Sequence, residues 1–109
     1  MKGELDIDLS PSAKDAIYQF MAQTPSGHIL SLVQFGKPED TDAEWALGTY
    51  TTETVDTAEK KYESAGHALR YEVAGIELVI EPHFAKLLQG KVLDFYQGGF
   101  HVTERKNGI

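Results

Sequence analysis

The stretch LLQGKVLDFYQGGFHVTERK, residues 87–106, decides the fold. It reads as two short strands closed by a glycine turn, followed by a charged tail with nothing reactive in it. Placing Gly98-Gly99 in a two-residue turn sets Phe95 against Val102 and Gln97 against Phe100, so the apolar residues of both strands fall on one side of the ribbon. The outer side then carries Tyr96 opposite His101 and Asp94 opposite Thr103. Just upstream, Pro82 can open a helical segment whose Phe84, Leu87 and Leu88 share a face, and Gly90 can end it in left-handed geometry. A ribbon with one apolar side must lie on a core, and the rest of the chain has to supply it.

Leu69, Tyr71 and Val73 alternate with Arg70 and Glu72, and Ile76, Leu78 and Ile80 alternate with Glu77 and Glu81. Ala74-Gly75 between them is short enough for a hairpin turn, although alanine is a weaker signal there than asparagine. Residues 28–35 put Ile29, Val33 and Phe35 on one side and Leu30 and Leu32 on the other, as a central strand covered on both faces requires. At the start of the chain Leu5, Ile7 and Leu9 alternate with Asp6 and Asp8, a short strand with one wet face. Ser10 can then cap a helix with Pro11 at its first position. Ala13, Ala16, Ile17, Phe20 and Met21 form its core-facing stripe, and Pro25 with Gly27 ends it. The remaining strand runs from Trp45 to Thr52, and residues 56–67 suggest a short helix with Asp56 as its cap.

The chain has 109 residues and a formal net charge of −7, which fits one domain spanning 1–109 and disfavours nucleic acid and anionic membranes. No apolar run approaches a membrane span, and MKGELDIDL lacks the apolar core of a signal peptide. The expectation is a cytoplasmic protein. There is no cysteine, which removes disulfides, thiolate nucleophiles and sulfur-ligated metals together.

The order of elements and the motifs within it resemble the HesB-like family, the A-type iron-sulfur carriers (IscA-like). IDLSPSAKDAIYQFMAQ is similar to that family's opening strand and helix. GIELVIEPHFAKLLQGKVLDF is similar to its strand, short helix and Leu-x-Gly-x-x-x-Asp-Phe step, and GGFHVTERK stands where the family has Gly-Phe-x-Phe-x-Asn-Pro-Asn. Leu88, Gly90, Asp94, Phe95, Gly99 and Phe100 are the most specific points of likeness. The resemblance implies an α+β fold with a small, strongly curved mixed sheet (a pseudo-barrel), an N-terminal helix and short additional helices. The family holds iron or its cluster through one cysteine in a glycine-rich loop and a Cys-Gly-Cys tail. Here the loop reads FGKPEDTDAE and the tail TERKNGI, so no ligand residue carries over and no cofactor is expected. The middle segment 49–67 is longer than the family pattern and matches none of it.

Few residues are candidates for chemistry. His28, His67, His83 and His101 occur singly, without metal-ligand spacing. Glu39, Asp40, Asp42 and Glu44 could hold a hard cation but read more simply as a solvated loop. On the final ribbon Asp94, Tyr96 and His101 could do acid-base work, or form a hydrogen-bonded polar face, or Asp94 could fasten the turn after Gly90. Trp45, Tyr50 and Phe35 could line a pocket or pack in the core. The favoured reading is a non-enzymatic HesB-like protein that binds a protein partner or itself. One alternative handles iron or a cluster with non-thiol or partner-supplied ligands. A second is a small acid-base enzyme using His101 and Asp94.

Overall fold

The computed structural model describes residues 2–35 and 44–105. Eleven elements follow one another: strands β1 (Lys2–Gly3) and β2 (Ile7–Leu9), helix α1 (Pro11–Ala22), strands β3 (His28–Phe35) and β4 (Glu44–Thr51), helix α2 (Thr52–Ser64), strands β5 (Arg70–Val73) and β6 (Ile76–Val79), helix α3 (Pro82–Leu88), and strands β7 (Lys91–Tyr96) and β8 (Gly99–Glu104). All eight strands join one mixed sheet in the order β1-β5-β6-β3-β4-β8-β7-β2. β1 pairs with β5, β2 with β7 and β3 with β6 in parallel, and the other pairings are antiparallel. The expected α+β architecture is present.

The chain itself forces this sheet to curl. β1 and β2 lie at opposite edges, yet only residues 4–6 separate them in sequence. Flat, eight strands would hold those edges ~34 Å apart, whereas the four steps from Gly3 to Ile7 reach at most ~14 Å. The edges therefore approach each other around a shared interior. That interior holds Ala13 and Ile17 of α1, Leu30 and Leu32 of β3, Ile76 and Leu78 of β6, Ala85 and Leu88 of α3, and Leu93 of β7, all buried. Trp45 meets Phe84 edge-on at 5.7 Å between ring centroids, and Phe95 meets Phe100 at 4.8 Å, so the last hairpin is fixed to the same core.

Local chemistry explains the element boundaries. The Ser10 hydroxyl accepts the Ala13 amide at 3.1 Å with Pro11 next in line, as the sequence predicts for α1. Gly90 takes φ +74° and turns the chain out of α3 into β7, and Ala74-Gly75, at φ 51° and 78°, closes the β5–β6 hairpin. β3 is covered on both faces: Leu30 and Leu32 enter the main core, while Ile29 packs against a second, smaller core of Val55, Leu69 and Val79. Its central placement follows.

Three expectations are corrected. The last turn is Gln97-Gly98, both with positive φ, and not Gly98-Gly99. The register therefore pairs Asp94 with His101, Phe95 with Phe100 and Tyr96 with Gly99. The slip is by two residues, so every side chain stays on its expected face, although its direct partner changes. The second helix starts at Thr52, four residues before Asp56, because the Thr51 hydroxyl accepts the Thr54 amide at 3.2 Å and caps it first. Asp56 pairs instead with the Arg70 guanidinium. Finally, the core stripe of α1 stops early: Ala13 and Ile17 are buried and Ala16 partly so, but Phe20 and Met21 are 37% and 41% exposed at its C-terminal end.

Candidate functional site

Two places on the described residues combine polar and apolar chemistry. The first is the outer face of the β7–β8 hairpin. Asp94 Oδ1 accepts the Ser10 hydroxyl at 2.6 Å, the Ser12 hydroxyl at 2.9 Å and the Phe95 amide at 2.8 Å. Ser10 also donates its backbone N–H to the Leu93 carbonyl at 3.0 Å. The carboxylate is thus part of a latch that fixes the first turn of α1 to β7, and does not fasten the turn after Gly90. The Ser10 hydroxyl, then the Ser12 hydroxyl, then the Phe95 amide hold its pKa below the ordinary 3.8, with a smaller contribution from His101. Such a group is an acceptor at neutral pH, with its Oδ1 engaged by the scaffold.

His101 stands directly opposite Asp94, and its ring stacks on Tyr96 with centroids 3.9 Å apart and planes 17° from parallel. The diagonal Tyr96–His101 contact follows from the corrected register. The three ribbon residues are thus brought together, with Asp94 bound to serines and His101 stacked on a phenol.

The histidines do not converge. His28 lies on β3 with Nδ1 buried and unpaired, His67 is exposed after α2, His83 sits 3.6 Å from the Glu81 carboxylate, and His101 is on β8. No group of three or more His, Asp or Glu side chains fit to hold a metal ion occurs among the described residues. Glu44 opens β4 and is exposed, while Glu39, Asp40 and Asp42 lie outside the described residues.

The second place is a hollow between α2 and the outer face of the sheet, about 170 Å³ in volume. Its floor is the packed cluster of Val55, Leu69 and Val79, and Ala58 and Tyr62 of α2 stand beside it. Its sheet side includes Ser31, 2% exposed and paired across the β3–β4 ladder with Gly48. A hydroxymethyl group beside a residue with no side chain makes the sheet shallow there, and the larger side chains around the spot hold the helix off it. Tyr50 and Glu81, each partly exposed, lie at the mouth. Of the aromatic residues singled out in the sequence, Tyr50 lines this hollow, Trp45 is buried in the main core and Phe35 is 61% exposed.

Next to the hollow, Arg70 gathers three carboxylates: Asp56, Glu59 at 3.2 Å and Glu77 at 3.1 Å. Burial disfavours its charged form, but the Glu77 hydrogen bond and the charges of Glu59, Asp56 and Glu77 outweigh this and leave its pKa raised. This cluster ties α2 to β5 and β6. Sequence spacing could not reveal it, since its members lie on three elements. The fold and these sites define a class: a small α+β protein with a mixed, curled sheet and a helix-covered hollow. No protein-family model and no curated protein matches the chain. No helix among the described residues is long and apolar enough to cross a membrane.

Proposed function

We propose that this chain is a non-enzymatic, HesB-like protein related to iron-sulfur cluster biosynthesis proteins, with no cluster of its own, that acts by binding a protein partner or a second copy of itself. The observation that carries the reading is the use to which the residues behind the resemblance are put. Leu88 is fully buried, Gly90 supplies a left-handed turn, Asp94 is held by two serines, and Phe95 and Phe100 pack on each other. They are scaffold, and the chain adds no thiolate to that scaffold. Soft iron-sulfur chemistry needs soft ligands, which carboxylate and imidazole do not replace. Exposed aromatic side chains, Tyr18 at 51% and Phe35 at 61%, offer contact area of the kind that protein interfaces use.

The test joins two measurements. Sedimentation of the purified protein over a wide concentration range, with affinity capture from native extract, is expected to give a dimer or one reproducible partner that a Tyr18→Ser, Phe35→Ser double variant loses. A monomer with no such partner sinks the proposal. Anaerobic incubation with iron and sulfide is expected to leave the protein colourless. Charge-transfer absorption from the protein alone would overturn the reading, and absorption that appears only with an added small thiol would replace it by a carrier that borrows its thiolates.

A further inference from the structure

We propose that the hollow beneath α2 is a binding site for a small aromatic molecule bearing a cationic amine, independent of the protein-binding role above. Its volume of about 170 Å³ is enough for one six-membered ring, since an apolar cavity of about 150 Å³ in another protein accepts benzene. The ring would rest over the buried cluster of Val55, Leu69 and Val79, each 2–4% exposed, and against Val33, Ala58 and Tyr62, which are partly exposed. A ring placed there would cover the apolar surface that Val33, Ala58 and Tyr62 still expose.

The mouth sets the charge of the ligand. Glu81 is the one ionisable carboxylate on the lining, and its side chain is 44% exposed. It stands at the N-cap position of α3 but makes no capping hydrogen bond, so its oxygens are not consumed by the helix end. His83 Nε2 stands 3.6 Å from its carboxylate. The protein as a whole carries a formal charge of −7, which further favours a cation over an anion at the opening. With the ring among the aliphatic side chains, a two-carbon arm can bring an ammonium group out toward Glu81. Ser31, on the sheet side, supplies a hydroxyl inside the hollow.

The experiment is an amide and methyl NMR titration of the full chain with three probes of equal size: phenethylamine, 2-phenylethanol and phenylacetate. Phenethylamine is expected to give saturable shifts centred on Val55, Ala58, Leu69 and Val79. 2-Phenylethanol should bind about threefold to tenfold more weakly, and phenylacetate more weakly again, as the loss and then the reversal of one partly exposed charge contact predict. Glu81→Gln should bring the amine down to the affinity of the alcohol. Ala58→Leu, a change that a helix accepts readily, should abolish binding of all three by filling the hollow, and Ser31→Val provides a second filling variant. Unchanged wild-type dispersion and melting behaviour would show that either variant is folded. The proposal is overturned if no probe saturates, if the shifts persist in both folded filling variants, or if phenylacetate binds as tightly as phenethylamine.

Discussion

At the scale of single residues, Asp94 shows how a side chain with the look of chemistry becomes structural. Beside a histidine on an exposed ribbon, an aspartate suggests an acid-base pair, but two serine hydroxyls from the start of α1 reach it first. Ser10 has a double role, capping its own helix and donating to Asp94. Because folding lowers the Asp94 pKa, the group contributes stability that is fully present above its ordinary value of 3.8 and is lost as pH falls from there through the lower folded value. Asp94→Asn is therefore expected to be less stable than wild type near neutrality, with the difference narrowing below about pH 3.8. Urea unfolding of both proteins across acid pH measures this. A gap that stays constant with pH would mean that the latch does not depend on the charge.

At the scale of elements, the two hairpin turns carry a cost that a sequence change can remove. Ala74 and Gln97 hold φ of 51° and 53°, a region where a Cβ meets the following carbonyl. Glycine occupies the second turn position in each case, at 75 and 98, and takes the other left-handed conformation without penalty. Replacing Ala74 by Asn should raise stability by about 0.5–1 kcal/mol, since asparagine tolerates this region and suits this turn. Thermal melts would check it, and a neutral or negative result would mean that the turn is not of this type. The misplaced start of α2 has the same local origin. Asp56 is the more conspicuous cap in the sequence, while Thr51-Thr52 reads as the end of a strand because threonine is β-branched. The burial of Val55 against Leu69 and Val79 decides for helix.

For the whole molecule, the curl of the sheet is the organising feature, and Gly3 marks a tight contact between the edge strand β1 and its neighbour β5. A Cβ added there would stand 2.5 Å from Cε1 of Tyr71 and 2.8 Å from the Cβ of Ala68. Tyr71 is 8% exposed and packed in the main core, so its ring has little room to withdraw. Gly3→Ala should destabilise the protein by about 1–3 kcal/mol, as overpacking at a tight contact does. Amide exchange should show faster opening along β1 and β5 than in α3. Uniform protection with no loss of stability would mean that β1 does not need the close approach at Gly3. At the other edge the Arg105 guanidinium grips Asp6 at 2.7 and 3.0 Å and Asp8 at 2.8 Å, joining the end of the described chain to β2 and the residue before it. That hydrogen bond and the neighbouring charge lower the Asp6 pKa despite opposing desolvation. The partners are largely exposed, so the contribution to stability is small and sensitive to salt.

Most strands, the first and third helices and the central position of β3 were legible in the sequence, because alternation, Pro11, Pro82, Gly90 and the apolar runs are properties of neighbouring residues. The faces of the final ribbon were legible for the same reason. The turn that fixes its register was not, since Gln97-Gly98 and Gly98-Gly99 differ only in which backbone accepts positive φ. Of the Asp94 latch, the sequence singled out Ser10 and Asp94 without joining them, as they are 84 positions apart, and it did not mark Ser12. Of the hollow beneath α2, only Tyr50 was marked in the sequence as a possible pocket residue. The hollow depends on Ser31 facing Gly48 across one ladder while a helix from another part of the chain rests on Val79. Periodicity records what each segment hides; only the packing of one segment on another creates the space between them.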